Sequence, residues 1–138
     1  MMKKSLPITE NFDGVSYLQT LIAVAMSEGG MKPEEINYIE LQAKLLNLDL
    51  DHMLDRPQLD LKKIAPRLSG KTKRVIIRDC ITLAHMDRDY AASERLRILG
   101  VANDLGLGSK VVEQMEEWLK QYWSLLDQGE RLLNGLEP

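Results

Sequence analysis

"AMSEGGMKPEEINYIELQAKLLNL", residues 25–48, and "AHMDRDYAASERLRILGVANDLGL", residues 84–107, are the same pattern written twice at an offset of 59 residues. Ala25 meets Ala84, Glu35 meets Glu94, Ile39 meets Ile98, Ala43 meets Ala102, Leu46 meets Leu105 and Leu48 meets Leu107, while Glu28 meets Asp87 with its charge kept. Internal self-similarity of this length is the mark of a repeated supersecondary unit. In the first copy Gly29 and Gly30 end one helix. Pro33 opens the next, where its missing N–H costs nothing, and Glu34 and Glu35 favour the positive end of the helix dipole. Met31 is placed to pack on Ile36 as a hydrophobic staple.

The rest of the chain reads as helix. Val15, Leu18, Leu21, Ile22, Ala25 and Met26 recur at three- and four-residue spacing, the apolar stripe of a helix. Pro57 and Pro66 break the middle into short helical pieces at about 50–55 and 59–68, with Gly70 closing that section. From Thr72 to about Met86, a stripe of Val75, Ile76, Asp79, Cys80, Leu83 and Ala84 gives another helix, followed by one over about 91–105. The last helix starts with Ser109 as its N-cap and runs to about Leu133. No sustained period-two alternation and no Asn-Gly or Asp-Gly turn argues for strands. The expectation is an all-α fold, a single domain over 1–138 of about seven helices. It contains two pseudo-symmetric repeats, about 15–49 and 72–108, and a C-terminal helix at about 109–134.

Composition narrows the function. The chain has 138 residues, 44% hydrophobic and 28% charged, with a formal net charge of -3, the profile of one globular domain without the basic excess that nucleic acid requires. One cysteine, Cys80, leaves neither a disulfide nor a cysteine-rich zinc site; its place on an apolar face marks it as core. Two histidines, His52 and His85, make no nucleophilic triad, and the expectation is that the chain is not an enzyme. The apolar run "LIAVAM" at 21–26 is too short to span a bilayer, and "MMKKSLPITENF" lacks the apolar segment of a secretory signal, so a cytoplasmic protein is expected.

Three other constellations bear on function. "APRLSGKT" at 65–72 fits a loosened phosphate-loop pattern, but charged "LDLKKI" precedes it where a buried strand is required. Lys62, Lys63, Arg67 and "KTKR" at 71–74 form a basic region, a solvated face or an anionic contact. On the last helix Trp118, Tyr122 and Trp123 widen the apolar arc beyond one packing face, which offers a surface to a protein partner or a second copy as a homodimer.

The paired carboxylates carry the sharpest expectation. A fold that joins the two repeats could bring Glu28, Glu35, Asp87 and Glu94 together, with Asp89 nearby. Ionised carboxylates at close range repel, so they bind a cation or take up protons. Oxygen-only ligands favour calcium, magnesium or manganese. Acidic residues in a first helical turn also serve the dipole and the cap alone, so both readings stand.

At these residues the chain resembles the tellurite-resistance TerB family, whose helical repeat carries an A-D-G-x-I-S-P-E-E type motif at a junction of two helices; here it reads "SEGGMKPEE". The resemblance covers about residues 15–108 in two copies. It implies an all-α fold in two pseudo-symmetric halves and a divalent-metal site. By motif position Glu28 and Glu35, then Asp87 and Glu94, take the places of the acidic residues, in a non-catalytic domain of tellurite or stress response or a membrane-associated complex. Lys32 replaces the usual serine cap, and Arg88 replaces the glycine after the second aspartate, where it offers Asp87 an internal ion pair.

Overall fold

The computed structural model describes residues 12–27, 31–86 and 90–135. Among them are seven α-helices and one 3-10 turn, and no strand: α1 Gly14–Met26, α2 Pro33–Leu45, α3 Leu50–Leu54, α4 Leu61–Ile64, the 3-10 turn Ala65–Arg67, α5 Gly70–Ala84, α6 Ala92–Asp104 and α7 Ser109–Leu133.

Each helix begins and ends for local chemical reasons. At α1, Asp13 Oδ1 accepts from the Ser16 N–H at 3.0 Å. At α5, Ser69 Oγ accepts from the Thr72 N–H at 3.0 Å, so Gly70 starts this helix rather than closing the preceding section. Gly108, not Ser109, is the extended N-cap of α7. The phosphate-loop reading of 65–72 fails here, because helix α4 and a 3-10 turn stand where a strand is needed. Of the two residues of the expected staple, Met31 packs on the core and Ile36 is 37% exposed. The inward face of α2 is set by Ile39, Gln42 and Ala43.

The 59-residue offset is kept in the helices. α2 and α6 have bounds 59 residues apart at both ends, and so do the starts of α3 and α7. α2 and α6 open alike, with a glutamate reaching back to the N-cap N–H: Glu35 Oε1 to Lys32 N and Glu94 Oε1 to Ala91 N, both 2.9 Å. This is half of a capping box, and it does not need a serine at the cap. They also close alike, with Leu48 N donating to Ala43 O and Leu107 N to Ala102 O, both 2.8 Å. That is the six-to-one bond of a Schellman turn, and it requires a left-handed residue at Asn47 (φ 60°) and at Gly106 (φ 80°).

Packing follows the same plan. α1 lies on α5, α1 packs on α2 and α3, and α5 packs on α6 and α7. Ile39 and Ile98, Ala43 and Ala102, Ala25 and Ala84, and Met53 and Val112 are all buried. α5 is the central helix, buried at nine of its positions, and Cys80 lies fully inside it. Burial, and then the neighbouring Asp79, push the Cys80 thiol far above its ordinary value, so it is an inert core residue.

Among the described residues, one aspartate lies in this core. Asp79, 3% exposed, receives the Tyr17 hydroxyl at 2.6 Å and the Arg78 guanidinium at 2.8 and 3.2 Å. Tyr17 also lies 3.3 Å from Gln42 Oε1, so α1, α2 and α5 are tied at a single point. Burial and then the Asp79 charge raise the pKa of both Tyr17 and Tyr38; both phenols stay protonated and able to donate.

The two Schellman turns make the repeat testable. Gly106→Ala places a Cβ in the left-handed region and is expected to lower unfolding stability by about 1–2 kcal/mol. Asn47→Gly, at the equivalent turn, is expected to stay within about 0.5 kcal/mol of the parent or to gain slightly. Urea denaturation midpoints compare the two directly.

Candidate functional site

The two glutamates that open α2 and α6 line one cavity. A cavity of about 20 Å³ lies between the helix pairs, lined by Ala25, Glu35, Ala84, Glu94, Arg97 and Ile98 among others. Glu35 and Glu94, like Ala25 and Ala84, are equivalents at the repeat offset, so the cavity sits where the two copies face each other. Its size suits one water or one small ion. Arg97 was not singled out from sequence, although it lies one helical turn beyond Glu94 and therefore on the same face.

These residues can hold charge in more than one way. Each glutamate gives one oxygen, Oε1, to a backbone N–H at the start of its own helix. Arg97 brings a permanent positive charge to the same wall. Among the described residues no group of three or more histidines, cysteines, aspartates or glutamates is placed to hold a metal. Two carboxylates fall short of the six or more oxygens that calcium takes. The remaining acidic positions of the sequence reading, Glu28, Asp87 and Asp89, lie outside the described residues, as does Arg88.

A second cluster joins α5, α6 and α7. The His85 ring stacks on Tyr90 at 4.2 Å and tilts against Trp123 at 4.9 Å, and its Nδ1 lies 3.0 Å from Ile81 O. A proton on Nδ1 makes that contact a hydrogen bond and fixes the tautomer. Glu116 accepts from Tyr90 at 2.6 Å and from both sides of the Arg95 fork at 2.8 and 2.9 Å. Burial acts to raise the Glu116 pKa, but the hydrogen bonds from Arg95 and Tyr90 outweigh it and hold the carboxyl below its ordinary value. His85 thus stacks on α6 and α7 side chains, while His52 is an exposed residue of α3.

The third feature is the face of α7. Of the three aromatic residues expected at a partner surface, Trp118 and Tyr122 are half exposed and stacked on each other at 5.4 Å. Trp123 is half-buried against His85 and the core. Beyond it the helix leaves the core: no residue from Ser124 to Leu133 is buried, and Leu125, Leu126, Leu132 and Leu133 are 55–89% exposed. The basic residues Lys62, Lys63, Arg67, Lys71 and Arg74 are exposed on the opposite side of the chain's order, around α4 and the start of α5. No helix of the described residues is long and apolar enough to cross a membrane.

The Glu116 cluster predicts an acid-dependent stability. Its folded pKa is depressed below the usual 4.5, so its contribution is fully present above about pH 4.5 and is lost as pH falls through the lower folded value. Glu116→Gln is expected to lower stability at pH 7 by up to about 1 kcal/mol. The gap to the parent should close in acid, as read from urea midpoints at a series of pH values. The chain matches no protein-family model, no curated protein and no solved structure.

Proposed function

We propose that this chain is a non-catalytic, TerB-like helical domain that works by binding protein through the exposed face of α7. The observation that carries this reading is the stripe formed by Trp118, Tyr122, Leu125 and Leu132, apolar side chains left in solvent on a helix that outruns its core. Scattered surface leucines are ordinary, but a contiguous apolar stripe on one helix is a contact surface. The TerB-like part is supported by the repeated helices with their matching first-turn glutamates and Schellman turns. From that resemblance follow a cytoplasmic setting and a place in stress response or a membrane-associated assembly.

A second reading keeps a divalent cation, and the shared cavity of Glu35 and Glu94 favours it. The ion would need Glu28 and Asp87 or Asp89 to complete its shell, and it would compete with Arg97 for the same carboxylates. The interaction reading requires no such competition.

One set of measurements separates the two. Under the interaction reading, Trp118→Ala combined with Leu125→Ala abolishes retention of partner proteins from a cell extract. The melting temperature of the domain holds, because both side chains are at least half exposed. Millimolar calcium, magnesium or manganese added after chelation leaves the melting temperature unchanged. A metal-dependent rise that vanishes in Glu35→Gln plus Glu94→Gln would instead establish the cation, since a bound ion stabilises the fold that holds it.

A further inference from the structure

The exposed face of α7 has an internal order. Met115, Trp118, Tyr122, Leu125, Gly129 and Leu132 follow one another in steps of three, four, three, four and three, the seam of a coiled coil. Trp118, Tyr122, Leu125 and Leu132 are 50%, 46%, 66% and 73% exposed, so beyond Met115, which packs on the core, the seam is not covered by the described residues.

Its flanks speak to what covers it. On one side run Gln114, Gln121 and Gln128, one heptad apart, and on the other Leu119, Leu126 and Leu133. Flanking positions of a coiled coil choose the partner by charge. An acidic or basic partner helix would call for opposite charges here. A copy of the same chain brings identical residues, and uncharged flanks meet their equivalents in an antiparallel pair without repulsion. Both flanks are uncharged.

Gly129 adds the register. It sits inside a helix, where glycine costs stability, and a Cβ built on it would meet nothing within 4 Å. Neither packing within this chain nor a left-handed backbone accounts for it. In an antiparallel pair of α7 helices one register sets seam against seam. Met115 then faces Leu132 of the second copy, Tyr122 faces Leu125, and Trp118, the bulkiest side chain of the seam, faces Gly129, which has none. Alternating large and small residues across facing positions is how helices interlock.

We propose that α7 pairs antiparallel with α7 of a second copy of this chain, Trp118 of each seated over Gly129 of the other. This names the partner for the α7 face and so rests on the interaction reading above. The free segment 124–133 of each copy then lies along the first half of α7 in the other, and the segment that leaves one core completes the surface of the next.

Sedimentation equilibrium of the purified full chain across the micromolar range is the test. The expected result is a dimer. Leu125→Asp, at a seam position well clear of the core, puts an unpaired charge into the seam and is expected to weaken the dimer about 100-fold or more, with helix content unchanged. Gly129→Leu fills the space under Trp118 and also weakens it. Combining Gly129→Leu with Trp118→Ala restores it, a rescue that only this register explains. A wild-type monomer throughout the range, or a dimer indifferent to Leu125→Asp, overturns the proposal. If the wild type is monomeric but Trp118 and Leu125 variants still lose proteins captured from an extract, self-pairing alone has failed. If those variants lose nothing, the interaction reading has failed with it.

Discussion

The fold turns on a carboxylate that must not be left alone. Asp79 lies inside the central helix α5, at the crossing with α1, and a buried charge without partners would be strongly destabilising. Tyr17 from α1 and Arg78 from α5 satisfy it, and Tyr17 in turn meets Gln42 from α2. Apolar packing alone would let α1 slide or rotate on α5 at small cost. The short hydrogen bond from Tyr17 allows one rotation of α1, because a turn in either direction removes the donor from the carboxylate. Once α1 is fixed on α5, the helices that follow each of them, α2 and α6, are fixed too.

That constraint explains why the ends of α1 and α5 and the starts of α2 and α6 line one cavity. Ala25 and Ala84 end the paired helices with small side chains, and the space they leave is lined by the first-turn glutamates of α2 and α6. Glu35 and Glu94 therefore have two roles. Each closes the start of its own helix through a backbone N–H, and each lines the common cavity with Arg97. The rest of the described residues divide cleanly: α5 is enclosed by α1, α6 and α7, while none of them buries a residue of the second half of α7.

Much of this was legible in the sequence, for identifiable reasons. The helices follow from three- and four-residue spacing, and the repeat from residue identities at a fixed offset. That Glu35 and Glu94 line one cavity agrees with their equivalence in the repeat. Asp79 was visible as a charge on an otherwise apolar stripe, but its partners were not, because Tyr17 lies 62 residues away and spacing along one helix carries no information about another. The starts of α5 and α7 were misplaced for a simpler reason. Serine and glycine both suit the residue before a helix and the residues beside it, so Ser69 with Gly70, and Gly108 with Ser109, could be read in either order. The cluster of Tyr90, Arg95 and Glu116 left no local signal, since its members come from two helices joined only by packing.

The central claim is that α7 has two halves, one belonging to the core and one completed by another molecule. Amide hydrogen exchange measured at several protein concentrations tests it most directly, because exchange reports opening helix by helix. The account predicts that amides in 124–133 become more protected as concentration rises, while those of α5 do not change. Exchange in 124–133 that is independent of concentration, whether fast or slow, would contradict it.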